Sequence, residues 1–175
     1  MKKFKKLLVY TSSIFLDKSE TTRIVNHLAK SCSHLDVHTL ENEENTPSNM
    51  YDLVLSIGGD GVFIAASKYA YKNSIPVLGL NLGRIGFLAD LDKKQLQSKM
   101  IEILNGNYIV DKRMMLSGTV RSSKGVHKSI SLNDIVINNC GRLKMIETDV
   151  LVNENLITKQ RSDGVIVSSP TGSTA

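Results

Sequence analysis

Asp60 is the residue whose surroundings most call for a chemical explanation. It stands in the run Gly58-Gly59-Asp60-Gly61, directly after the apolar stretch Leu53, Val54, Leu55, Ser56, Ile57. Phe63, Ile64, Ser67 and Ala70 to Tyr71 follow at helical spacing, so the loop opens a helix. Glycines at 58, 59 and 61 let the backbone take positive φ and let a ligand approach where a Cβ would collide. The start of a helix turns free N–H groups and a positive dipole end outward, which is an anion site, most often for phosphate. A carboxylate beside phosphate is repelled unless it binds a metal or takes a proton. Asp60 is therefore a candidate for either task. The loop matches neither the Walker pattern, since no Gly-Lys-Ser/Thr follows, nor the G-x-G-x-x-G fingerprint. Taken alone it reads equally well as a tight strand-to-helix turn whose aspartate caps the helix.

The elements around the loop follow an α/β rhythm. Phe4 to Thr11 reads as a strand, Ser19 to Cys32 as an amphipathic helix with Ile24, Val25, Leu28, Ala29 and Cys32 on one stripe, and His34 to Leu40 as a second strand. Glu41 to Asn49 is acidic, polar and broken by Pro47, hence a surface loop. Leu53 to Ile57 has the continuous apolar character of a strand covered on both faces. After a turn at Lys72–Ser74, Ile75 to Leu80 supplies another strand, and Asn81 to Asp90 (NLGRIGFLAD) is a second glycine-bearing loop expected on the same side of the sheet. Its other reading is a packed connector with Ile85, Phe87 and Leu88 buried and Arg84 outside. Asp92 to Asn105 reads as a helix ended by Asn105–Gly106. Strands separated by helices imply a mainly parallel, Rossmann-like sheet with ligands at the carboxyl ends of its strands.

Beyond about Tyr108 the helical period disappears. Met115–Arg121, Ser129–Asn138, Lys144–Val152, Leu156–Arg161 and Val165–Ser169 are the expected strands. Ser122–Gly125, Asn139–Gly141 and Asn153–Asn155 are the turns, the last two with hairpin chemistry. The expectation is an α/β domain over residues 1–108 and an incomplete all-β, sandwich-like domain over 109–175. The chain stops in the turn-rich stretch SSPTGSTA, and five strands would leave open edges. A truncated β domain, or one completed by a partner, is expected from this.

Composition narrows the function without choosing it. The 175 residues are 41% hydrophobic and 22% charged, as in a globular chain with a real core. No apolar run approaches the roughly 20 residues needed to span a bilayer, and Met1–Lys6 leads into a strand-like segment without a cleavage site, so a cytoplasmic protein with no membrane partner is expected. Cys32 and Cys140 lack metal-site or redox spacing and read as reduced, inert thiols. No cluster of His, Cys and Asp suggests a dedicated metal cage. The net charge of +5 suits an anionic ligand. Aromatics are only 5%, so the stacking platforms of single-strand nucleic-acid binders are not evident, and no nucleic acid is expected.

Four stretches taken together, GGDG at 58–61, NLGRIGFLAD at 81–90, LNDIVI at 132–137 and RSDGVIVSSPTGSTA at 161–175, resemble bacterial NAD kinases in order and separation. The resemblance covers the whole chain. It implies ATP-dependent phosphorylation of the adenosine ribose 2′-hydroxyl of NAD, with Mg²⁺ arriving with the nucleotide and a homo-oligomer as the working form. On this resemblance Asp60 is the general base, and Gly58, Gly59 and Gly61 let phosphate and ribose come close. Asn133 and Asp134 match the family's Asn-Glu pair on the ribose hydroxyls. Arg161 matches a phosphate-binding position and Asp163 one at the nicotinamide end, in sites that the family shares between subunits. Lys144 falls where relatives place a ligand-contacting polar or basic residue, and Thr174 and Ala175 begin the stretch lining the adenine pocket. The sequence departs from the family's usual residues at Val62 and Ser169, where threonine is common, and at Asp134, where glutamate is usual. Two other classes share some of these features. One is a non-catalytic nucleotide-binding or oligomerising module. The other is a lipid kinase with the same GGDG loop, against which Asn133–Asp134 and Arg161–Ala175 argue. A hydride-transferring dehydrogenase fits least, because its glycine fingerprint is missing.

Overall fold

The computed structural model describes residues 2–16, 19–45, 50–82, 88, 91–141 and 144–174. The chain divides into two units, Met1–Asp111 and Lys112–Ala175.

Unit 1 is built on five parallel strands: β1 (Lys6–Thr11), β2 (His34–Thr39), β3 (Leu53–Ile57), β4 (Val77–Asn81) and the two-residue β5 (Leu91–Asp92). Their order across the sheet is β2-β1-β3-β4-β5. The side-chain alternation of β1 and β3 sends residues to opposite faces, and both faces are covered. On one, Leu7, Val9, Leu53 and Leu55 pack with Ile24 and Leu28 of α2 (Ser19–Ala29) and with Met100 and Leu104 of α4 (Lys93–Leu104). On the other, Leu8, Tyr10 and Val54 pack with Val62, Ala66, Tyr69 and Ala70 of α3 (Asp60–Asn73). α3 stops at Ser74, which takes left-handed φ 54° and returns its N–H to the last turn.

The expected α/β unit is present. Three elements went unread: a four-residue helix α1 (Ser13–Leu16), β5, and a 3₁₀ turn at Leu40–Asn45 inside the expected acidic loop. Pro47 and most of the 81–90 loop, including Arg84, Ile85 and Phe87, lie outside the described residues.

The strand order reverses direction at one place. From β1 the chain steps outward to β2, then crosses back to β3 on the opposite side of β1. The carboxyl ends of β1 and β3 therefore flank the switch point, where open α/β sheets bind ligands. Gly58–Gly61 leaves the sheet there.

Unit 2 is antiparallel throughout its described strands. β6 (Leu116–Ser122) and β7 (Gly125–Ser131) form one hairpin; β9 (Ile146–Val152) and β10 (Asn155–Ser162) form another, around Asn153 and Glu154, both at positive φ as a type I′ turn requires. Two expectations are corrected here. Ser129–Asn138 is not one strand: the chain breaks at Leu132–Asn133, and β8 (Asp134–Asn138) begins afresh because Leu132 is buried and its neighbours are bonded elsewhere. Asn139–Gly141 turns through left-handed Cys140 and Gly141 but closes no hairpin, since β8 pairs instead with β11 (Gly164–Ser168). Among the described residues of this unit only Leu132, Ser169 and Gly172 are buried.

Candidate active site

The glycines of the first loop do different work. Gly58 sits at φ +153°, and a Cβ there would lie 2.7 Å from Val62 Cγ2 and 3.3 Å from the Phe15 ring. This position is closed to any side chain. Gly59 is the N-cap of α3 at φ −87°, its carbonyl accepting the Val62 and Phe63 N–H groups. A Cβ on Gly59 or on Gly61 would meet nothing within 4 Å. The fold thus demands glycine at 58 and leaves open space at 59 and 61.

Asp60 is the first residue of α3, not its N-cap, and the cap carries no side-chain hydrogen bond. The capping alternative is thereby removed. The half-buried Asp60 carboxylate accepts the N–H of Leu88 through Oδ1 at 3.3 Å, so the second glycine-bearing loop reaches the first, on the side of the sheet expected for it. Leu88 itself is buried.

Val62 points away from this surface. It packs in the α3-side core with Leu8, Val54 and Tyr69, so the hydroxyl that it lacks relative to threonine faces the packing under Gly58. The turn is pinned from its other flank by Thr11, whose hydroxyl donates to the Ile57 carbonyl at 2.8 Å. Thr11 and Phe15 were not singled out in the sequence. A threonine ending a strand and a phenylalanine just beyond it carry no signature of their own, and only the fold brings them beside the glycines.

In unit 2 the candidate residues fall into separate groups. Asn133 and Asp134 lie at the start of β8, opposite Ser168. Thr174 belongs to a 3₁₀ turn, Gly172–Thr174, folded against them: a Cβ on Gly172 would stand 2.2 Å from the Asn133 carbonyl oxygen. The Asn133 Oδ1 atom is buried and has no hydrogen-bond partner among the described residues. Asp163 is at the far end of the β8–β11 ladder, where Asn139 donates its N–H to the Asp163 carbonyl at 3.1 Å and its side-chain amide to the Asp163 carboxylate at 3.5 Å. Five residue steps along β8 separate Asp134 from Asn139 at the other end, about 17 Å of strand. Arg161 is exposed on β10 opposite Glu147, and Lys144 is exposed between β8 and β9; neither is brought against the first group by a described contact. Ala175 lies outside the described residues.

No group of three or more His, Cys, Asp or Glu among the described residues could hold a metal ion.

A family model described as the ATP-NAD kinase N-terminal domain matches residues 2–108, and one described as the ATP-NAD kinase C-terminal domain matches residues 132–175. The chain is 42% identical over 126 residues to an NAD kinase of Treponema denticola, covering 71% of this chain and 44% of that protein. It is 38% identical over 125 residues to an NAD kinase of Neisseria gonorrhoeae, covering 71% and 42%. It spans less than half the length of these curated relatives. A crystal structure of yeast NADH kinase complexed with NADH shares the fold at TM-score 0.81 and 20% identity, covering all of this chain and 60% of that one. With both family models in chain order, the first alone covering more than half of the residues, the chain belongs to the ATP-NAD kinase family.

Proposed function

We propose that this chain is the nucleotide-handling part of an NAD kinase, which moves the terminal phosphoryl group of ATP to the 2′-hydroxyl of the adenosine ribose of NAD and yields NADP. The placement of Asp60 carries this reading. It is the only carboxylate in the loop at the switch point, it starts a helix, and the glycines on either side of it leave room that the fold itself does not need.

A ribose hydroxyl attacks phosphorus well only as its proton leaves. Asp60 accepts that proton through a carboxylate oxygen, with the Leu88 N–H holding the other edge of the side chain in place. The Asp60 and Gly61 N–H groups precede the first bonds of α3, which begin at Val62, and face the charge that develops on the transferred group. Mg²⁺ bound with ATP neutralises phosphate charge in this chemistry. The ribose hydroxyls are held by Asn133 and Asp134, adjacent at the start of β8, whose amide and carboxylate suit a diol. Arg161 takes a phosphate, Asp163 the nicotinamide end, Thr174 and Ala175 the adenine, and Lys144 an anionic edge of the ligand.

The working form is a homo-oligomer. One face of the β8–β11 ladder carries Ile135, Ile137, Val165 and Val167, and on the other the cross-strand pair Val136 and Ile166 is 52% and 65% exposed. A cytoplasmic location fits the two free cysteines. No helix among the described residues is long and apolar enough to cross a membrane.

The test is to incubate the chain with NAD, ATP and Mg²⁺ and to separate NADP chromatographically. Asp60→Asn should lower the rate of the chemical step at least about a hundredfold while changing NAD affinity little. An unchanged kcat in the variant rejects the base assignment.

A further inference from the structure

Ser169 is a polar residue in a unit with almost nothing else buried. Its hydroxyl donates to the Leu132 carbonyl at 2.5 Å and accepts the Gly172 N–H at 3.2 Å. Its own N–H donates to the Asn133 carbonyl at 2.7 Å, and its carbonyl accepts the Ser173 N–H at 3.0 Å. One residue therefore stitches the Leu132–Asp134 break to the Pro170–Thr174 turn. These are the two segments that carry Asn133, Asp134 and Thr174.

Two further observations make this stitch consequential. The approach is close enough that Gly172 accepts no side chain, so the two segments sit in van der Waals contact along their backbones. Asn133 Oδ1 has no hydrogen bond of its own among the described residues, so its direction is set by the backbone from which it hangs. That backbone is held by Ser169.

We infer that Ser169 is a positioning residue of the dinucleotide-binding surface, its hydroxyl fixing the Asn133 amide relative to the Thr174 turn without touching the ligand. This rests on the function proposed above. Replacing the hydroxyl by hydrogen strands the Leu132 carbonyl and the Gly172 N–H in a buried place without partners, and the two segments part to reach water. Threonine retains the hydroxyl and the stitch. Cysteine keeps the volume but bonds weakly.

The experiment titrates NAD into the chain and into Ser169→Ala, Ser169→Thr and Ser169→Cys by calorimetry. Far-UV dichroism and amide exchange at Ile137 and Val165, a pair in hydrogen-bonding register, report whether the β8–β11 ladder is intact. With the ladder intact, Ser169→Ala should bind NAD about tenfold more weakly and Ser169→Thr within about threefold of the parent. If Ser169→Ala loses the ladder, Ser169→Cys is judged in its place by the same tenfold criterion. Parent-like affinity in the alanine or cysteine variant, or a threonine variant as weak as alanine, overturns the positioning role alone. A parent chain that binds no NAD overturns the functional reading and the positioning role with it.

Discussion

The hydroxyl of Thr11 donates to the carbonyl of Ile57 across the ends of β1 and β3, 46 residues apart in sequence and adjacent at the switch point. The bond is buried, and it ties the last residue of one strand to the residue before Gly58. Thr11→Val keeps the shape and removes the donor, leaving a buried carbonyl short of a partner. We expect a loss of about 1–2 kcal/mol in urea unfolding, together with a fall in kcat, because the turn that aims Asp60 loosens. Unaltered stability and turnover would show that the turn does not need this bond.

The three loop glycines should separate cleanly by substitution. Gly58→Ala forces a Cβ into Val62 at a φ that alanine resists, and is expected to destabilise unit 1 by at least about 2 kcal/mol. Gly61→Ala is free of clashes and lies in the first turn of α3, where alanine gains up to about 1 kcal/mol of helix propensity. It should melt no lower than the parent and bind nucleotide worse; Gly59→Ala should also bind worse but melt somewhat lower, because Gly59 is the N-cap. Thermal unfolding paired with ATP titration measures both; a fully active Gly61→Ala would mean that the open space serves no ligand.

Asp52 gives the chain an acid limb. Burial pushes its carboxyl up, but this is outweighed by the Lys5 N–H at 3.0 Å, the Lys2 ammonium at 3.0 Å and the Lys6 N–H at 3.1 Å, so the net displacement is downward. A carboxyl lowered in the folded state adds stability above its unfolded value, near pH 4, and that contribution is lost as pH falls through the folded value. Urea midpoints from pH 7 to pH 2.5 should show the parent losing ground below about pH 4. Asp52→Asn should start lower at neutral pH and decline less. Parallel curves for the two would remove Asp52 as a cause.

Self-association through unit 2 should respond to charge on the β8–β11 ladder. Val136→Lys with Ile166→Lys places two ammonium groups directly opposite each other on an exposed apolar pair. Sedimentation velocity is expected to shift toward monomer. A variant that assembles like the parent would locate the contact elsewhere.

Much of unit 1 was legible because its signals are local. The run Leu53–Ile57 is mostly apolar and fully buried, the glycines punctuate it, and α3 follows at the spacing that the sequence announces. What escaped were short or relational features. A two-residue strand such as β5 has no period to detect. The pairing of β8 with β11 depends on a Cβ-free Gly164, where a side chain would stand 2.4 Å from the Ile137 carbonyl oxygen, and no local pattern encodes that distant partner. Asn139–Gly141 had hairpin chemistry and made a turn, yet the turn could not choose which strand came next. Ser169 registered in the sequence only as a substitution for threonine; its four backbone bonds exist because two distant segments meet.

The insertion of the β9–β10 hairpin between β8 and β11 also sets an order of events in folding. A hairpin closed by Asn153 and Glu154 needs only neighbouring residues and forms within about 1–10 μs. The ladder from Asn138 to Gly164 must close the whole intervening chain and carries the larger entropic cost. Once the hairpin has formed, its two arms return the chain nearly to its starting point, and the search left to Gly164 is short. The residues at the tip of that hairpin thereby govern how quickly Ser169 and Asn133 find one another.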